Sequence, residues 1–348
     1  MIRVSMAGLK MMALTGMFAA AALEAEDATT QGRFLGAMDT TYPSWFKSSF
    51  LEIADDVEEA LANGRRVLIL YHQDDCPYCN ALVERNLSQK HIEEKVRENF
   101  DVIALNLRGD REVVTIDGQV YTEKSLARAL DVQFTPTLFF LDESGQVVLR
   151  LNGYVPPGEF EIALDFASGK PEAAVTYQDY LAGRLSPADD GAMNEAGFFS
   201  APPHDFRAVV EQRRPAAVFF EQRQCPNCDV LHADTLRDPE STDLIEGFYA
   251  AQLDMWSGEP LVTPSGERTT AREWARDLGV KYAPTIVLFS PEGREVIRSE
   301  AWLKRFHTQS LLDYVSSEAY REEPDFQRYL SARADRIRAQ GRDVDIWE

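Results

Sequence analysis

Cys76-Pro77-Tyr78-Cys79 recurs 149 residues later as Cys225-Pro226-Asn227-Cys228, and these two stretches hold all four cysteines of the chain. Downstream, Phe134-Thr135-Pro136-Thr137-Leu138-Phe139-Phe140 is answered by Tyr282-Ala283-Pro284-Thr285-Ile286-Val287-Leu288 at an offset of 148. Asp117-Gly118 and Ser265-Gly266 keep the same offset, as do Gly145 and Gly293. A near-constant shift that runs through apolar runs and turns alike marks a duplicated domain. Solenoid repeats have periods of roughly 20–50 residues, far shorter than this one.

Each copy reads in one order. In the first, Phe50, Leu51, Ile53, Ala54, Val57, Ala60 and Leu61 recur at helical spacing up to Asn63-Gly64. Val67-Leu68-Ile69-Leu70-Tyr71 is a continuous apolar run of strand length, as is Ala216-Ala217-Val218-Phe219-Phe220 in the second copy, and such runs suit central strands buried on both faces. The cysteine pair follows, then a helical stretch and a second buried strand (Val102-Ile103-Ala104-Leu105; Ala250-Ala251-Gln252-Leu253). Residues 113–121 fold about Asp117-Gly118 as a hairpin. Strands at 138–141 and 147–151 join at Ser144-Gly145, and a helix over 157–167 closes the unit.

A length of 348 residues suits two such domains. With 45% hydrophobic and 27% charged residues, wholesale disorder and a polytopic membrane protein are excluded. The net charge of −21 repels phosphate backbones, so no nucleic-acid partner is expected. Both copies share that charge: residues 26–185 hold 27 acids against 15 bases, and residues 186–348 hold 29 against 19.

Arg3 and Lys10 precede a short apolar run ending in Ala19-Ala20-Ala21-Ala22-Leu23. A basic start, a short apolar core and small residues read as a secretory signal, cleaved after Ala22 or Ala25. The expected organisation is a signal over 1–25, one domain over 40–185 and a second over 200–348, with breaker-rich sequence at 184–203 between them. A C-terminal helix is expected over 325–339, with Arg333, Arg336 and Arg338 complementing its negative end. Each copy carries a complete set of elements, so the two are expected to fold separately. The expected location is an oxidising periplasm, with no membrane insertion of the mature chain.

Two thiols three residues apart at a strand-to-helix junction form a chemical unit. With Cys76 at the helix N-cap, Pro77 suits the first helical position, and free backbone N–H groups stabilise a thiolate at Cys76. Cys76 then attacks a disulfide and Cys79 resolves it, with Cys225 and Cys228 in the same roles. Inert structural disulfides remain the alternative. The 145 residues between the pairs are far from zinc-ribbon spacing, and Asn80 and Asp229 stand where haem attachment needs histidine. No metal or small cofactor is expected. Pro136 and Pro284 interrupt buried strands, a conflict that a cis bond after Thr135 and Ala283 resolves.

This order of elements, with Cys-Pro-x-Cys at a helix start and (Thr/Ala)-Pro before a hairpin, resembles the thioredoxin superfamily over about residues 45–170 and 205–320. Residues 105–121 and the stretch Thr135-Pro136-Thr137-Leu138-Phe139-Phe140 resemble periplasmic thioredoxin-like proteins that accompany bacterial sulfur oxidation. The resemblance implies an α/β fold of two tandem domains, each a central mixed sheet flanked by helices. It also implies a proline loop lying against each cysteine pair, with Thr135, Pro136, Ala283 and Pro284 binding substrate. Tyr78 offers an extended client an apolar contact. Where cytosolic thioredoxins carry a buried aspartate six residues before the first cysteine, this chain has Leu70 and Phe219. His72 and Glu221 are candidate proton carriers in its place, or strand-end surface residues.

The expected function is thiol–disulfide exchange with client proteins bearing thiols or disulfides, in communication with a membrane redox partner. A non-catalytic adaptor of the same fold is the alternative. Copy one is expected to be the better catalyst. Copy two is expected to be the more oxidising, because Arg223 lies near Cys225 in sequence.

Overall fold

The computed structural model describes residues 31–169, 175–184, 191–300 and 303–348. The expected signal over 1–25 lies outside the described residues, as does part of the breaker-rich segment. Among the described residues no helix is long and apolar enough to cross a membrane.

Each copy is built on a four-stranded mixed sheet. In the first the order is Phe100–Asn106, Arg66–His72, Thr137–Leu141, Val147–Asn152; in the second it is Tyr249–Asp254, Ala216–Glu221, Thr285–Phe289, Glu295–Ser299. The first two strands of each run parallel and the rest antiparallel, with Leu68 opposite Val102 and Phe140. The continuous apolar runs are the inner strands, where both faces meet helices, and Val67, Leu70, Tyr71, Ala217, Val218, Phe219 and Phe220 are at most 1% exposed. The short hairpins form as expected, Glu112–Val114 against Val120–Thr122 and Pro260–Val262 against Arg268–Thr270. The first helix runs over Ile53–Ala62, and its apolar stripe is narrower than the sequence spacing suggests. Phe50 precedes it and is 98% exposed, and Leu61 is 48% exposed.

The copies face one another, and equivalent positions meet reciprocally, as across the isologous interface of a dimer. Phe134 leaves copy one and packs in the copy-two core, its ring 5.6 Å from that of Phe326. Its equivalent, Tyr282, packs in the copy-one core. Asn152 and Glu300 occupy equivalent positions, and the Asn152 amide donates to the Glu300 carboxylate at 2.8 Å. Tyr78 reaches His307, and Asn227 reaches Glu159.

The C-terminal extension completes the contact. Its helix is Phe326–Ala339, and Arg336 and Arg338 occupy its last turn as expected. Arg333 does not serve that helix end. It is 5% exposed and bridges Asp313 at 3.0 Å and Glu240 at 2.7 Å, because its side chain points into copy two. Beyond the helix, Val344–Asp345 pairs in parallel with Phe34–Leu35, so the segment before copy one is clasped to the chain's other end.

Each copy has its own sheet and core, but each half alone would expose an aromatic side chain that the other half covers, Phe134 from copy one and Tyr282 from copy two. Phe134→Ala, a buried truncation across the interface, is expected to cost about 3–5 kcal/mol. Thermal melts of the full chain should show one cooperative transition, lowered as a unit. Independent transitions, with only one of them shifted, would show that the halves are not energetically joined.

Candidate active site

Both cysteine pairs close as disulfides, Cys76–Cys79 and Cys225–Cys228. The central strand ends, and the residue before each first cysteine turns into the left-handed region (Asp75, φ 57°; Gln224, φ 50°). That turn, unfavourable for a non-glycine residue by roughly 1–2 kcal/mol, aims the following cysteine at the helix start. Cys76 and Cys225 are the N-caps, with Pro77 and Pro226 at the first helical positions. In each the first Sγ accepts the N–H of the second cysteine at 3.1 Å. On reduction that N–H points at the sulfur that carries the charge, which favours the thiolate. Cys79 and Cys228 are fully buried, whereas Cys76 and Cys225 are 2% and 4% exposed. Each helix then loosens into one π-helical stretch, Leu82–Leu87 and Leu231–Leu236.

The proline loops lie where the sequence places them. The Thr135–Pro136 and Ala283–Pro284 bonds are cis. Cys76 Sγ lies 3.6 Å from the Thr135 carbonyl oxygen and 3.4 Å from its hydroxyl; Cys225 Sγ lies 3.7 Å from the Ala283 carbonyl oxygen. Each cysteine pair thus lies against the proline loop expected beside it.

The two proton-carrier candidates differ in setting. His72 ends its strand partly buried against the Tyr42 ring, with centroids 4.6 Å apart, and desolvation lowers its pKa. Glu221 is fully buried rather than at the surface. Its carboxylate meets His232 Nε2 at 2.9 Å and accepts from the Gln252 amide at 3.0 Å. His232, one helical turn beyond Cys228, is a site neighbour that the sequence reading passed over.

Tyr78 is not the open client contact expected of it. It is 4% exposed, because copy two covers it: its hydroxyl accepts the Lys304 N–H at 2.9 Å and meets His307 Nδ1 at 3.1 Å, and its ring lies 5.2 Å from Trp347. The Tyr78 hydroxyl and His307 Nδ1 thus share a hydrogen bond across the interface. Burial pushes the His307 pKa down to about 4. In copy two, Pro226 is exposed, and partly buried Asn227 donates to Glu159 Oε1 at 3.3 Å. Glu159 and His307 are equivalent positions, one in each closing helix. A signal for them was present in the repeat offset, but single residues of unlike chemistry do not announce a contact. Arg223 faces Asp254 at 3.5 Å, so the cation expected to aid Cys225 already has a carboxylate partner.

The profile of the thioredoxin-like domain matches residues 53–168 and again residues 202–316. The chain belongs to the thioredoxin-like domain family. No curated protein matches it. Among solved structures, a thioredoxin-fold protein from Helicobacter pylori is 17% identical over 36% of this chain and 85% of its own, with a TM-score of 0.33. A thioredoxin from Thermus thermophilus is 25% identical over 39% and 85%, with a TM-score of 0.26. The first two thioredoxin domains of Saccharomyces cerevisiae Eps1p are 13% identical over 74% and 93%, with a TM-score of 0.25.

Two predictions follow from the unequal cover. After full reduction at neutral pH, alkylation should label Cys225 before Cys76, since Pro77 and Tyr78 are buried while Pro226 is open; the order is read by mass spectrometry, and labelling of Cys76 first would contradict it. Separately, His307 is neutral in the fold and titrates near 6.5 when unfolded. The chain is therefore unpenalised above that value and loses stability as pH falls from 6.5 towards 4, by at most about 3 kcal/mol. His307→Asn, which keeps a hydrogen-bonding group near Nδ1 but does not titrate, should flatten that slope in melts run across the same range.

Proposed function

We propose that this chain is a periplasmic thiol–disulfide oxidoreductase that exchanges disulfides with client proteins. The observation that carries the reading is the coincidence, in both copies, of an N-capping cysteine sulfur, an N–H aimed at it and a proline-loop carbonyl within 4 Å of it. An inert disulfide needs neither a capped helix start nor a strand-end turn that costs energy.

With the pair oxidised, a client thiolate bonds to Cys225 Sγ as the Cys225–Cys228 bond breaks, and Cys228 leaves as a thiolate that takes up a proton. The second client thiol, losing its proton, attacks the mixed disulfide; the client disulfide forms and Cys225 leaves as a thiolate. Two electrons pass from client to pair, and the reverse sequence reduces a client. The sign of the difference in reduction potential decides which direction runs.

One observation favours a binding role for copy one. Its Pro77-Tyr78 edge lies under Lys304, His307 and Trp347, so a client reaches Cys76 only by displacing them. Copy two is then the exchanging site, the reverse of the order expected from sequence. The basic and apolar N-terminal stretch supports export, and cleavage after Ala22 or Ala25 would be read from the mass of the secreted chain.

Cys228→Ser should accumulate mixed disulfides with client proteins through Cys225, visible on non-reducing gels of cell extract and absent when Cys225 is also replaced. Cys79→Ser should trap several-fold less. A wild-type chain that oxidises or reduces dithiol peptides while Cys228→Ser traps nothing would refute the two-step route.

A further inference from the structure

A cavity of about 340 Å³ opens between the copies, and Ala283, whose carbonyl lies 3.7 Å from Cys225 Sγ, is part of its wall. Tyr282 and Trp256 line it from copy two; Ile162 and Leu181 line it from copy one. Gly158, second residue of the closing helix of copy one, also faces it, and a side chain added there would meet nothing within 4 Å.

The charged groups at the rim have polar partners within the protein. Arg150 donates to the Leu130 and Asp131 carbonyls and to Asn152, each at 2.7 Å. Glu300 is held by Arg298 at 3.1 Å and Asn152 at 2.8 Å, with Lys281 at 3.9 Å. Glu159 accepts from Asn227, and desolvation raises its pKa, so its charged form is disfavoured there. What is left for a ligand is mainly apolar wall, joined to the copy-two disulfide through Ala283, whose carbonyl touches the 4% exposed Cys225 sulfur. A small thiol carrying two carboxylates would lose hydration on entry and would have to compete with Glu300 for Lys281 and with the Leu130 and Asp131 carbonyls for Arg150. An aromatic or aliphatic side chain instead gains by leaving water.

We infer that this cleft is a side-chain subsite for the copy-two disulfide, with copy one as its specificity wall. Its occupant is an extended client segment that carries a large apolar residue next to the reacting cysteine. The inference rests on the exchange reaction proposed above and adds which pair reacts and what it selects. It also assigns Ile162 and Leu181, which lie far from Cys225 in sequence and in the other copy, a part in choosing the client.

The test uses the oxidised full-length chain and three probes: two dithiol peptides differing only in Phe or Asp beside one cysteine, and glutathione. Peptide oxidation is followed by mass spectrometry, and alkylation locates the pair that becomes reduced. The Phe peptide should react about tenfold or more faster than the Asp peptide, at Cys225–Cys228, and glutathione should resemble the Asp peptide. Gly158→Trp, which fills open space and leaves the core untouched, should bring the Phe-to-Asp ratio to within about twofold. Ile162→Asp should lower it as well. An unchanged ratio in Gly158→Trp, no preference in the wild-type chain, or preferred use of glutathione would overturn the subsite while leaving the oxidoreductase reading intact. No oxidation of any probe would sink both.

Discussion

Each copy seats an aromatic residue from its own proline loop in the core of the other, and the rest of the arrangement depends on that exchange. Phe134 and Tyr282 immediately precede Thr135-Pro136 and Ala283-Pro284. Removing two such side chains from water stabilises the contact by about 1.5–3 kcal/mol each. Because the anchors adjoin the loops that touch Cys76 and Cys225, closing the interface brings both disulfide-bearing faces to it. The positions of the sites, the cover over Tyr78 and the cleft beside Ala283 all descend from this one packing choice.

Duplication made the interface pseudo-symmetric, and divergence made its two halves unlike. On one side the Tyr78 hydroxyl is held by a backbone N–H and an imidazole, with an indole against its ring. On the other, Asn227 and Glu159 meet at 3.3 Å over an open proline. A large buried ring with its polar tip satisfied is costly to withdraw, because withdrawal strands both partners. A longer amide–carboxyl contact beside solvent gives way more easily. One fold thus covers the Pro77-Tyr78 edge of one disulfide and leaves Pro226 beside the other in solvent, with both cysteine pairs buried.

The C-terminal extension reinforces the shielded side. Arg333 joins the Phe326–Ala339 helix to copy two through two carboxylates, and the strand after it binds Phe34–Leu35. Trp347 is thereby brought against Tyr78, with Arg85 5.6 Å and Lys304 5.8 Å from its ring. A buried arginine serves here because its planar fork satisfies two acids at once, where a lysine would offer a single point of charge.

The sequence alone determined the repeat, the succession of elements along each copy, the two cysteine pairs and the proline loops. These depend on local signals: continuous apolar runs, an Asp-Gly turn, a proline that no buried strand accepts, and thiols three residues apart at a helix start. It misplaced Phe50 and Leu61, whose apolar character fits a helix stripe but whose positions at its margins leave them in solvent. It misread Tyr78, Arg223 and Arg333 because the partner of each lies elsewhere: Lys304 and His307, Asp254, and Asp313 with Glu240. Tertiary structure alone decided that Phe134 and Tyr282 change cores, that Glu221 is buried against His232, and that residues of both copies line the cleft beside Ala283. Periodicity reports which face of an element is apolar. It carries no information about which distant face will cover it, because that depends on shape and charge matching between surfaces that lie far apart along the chain.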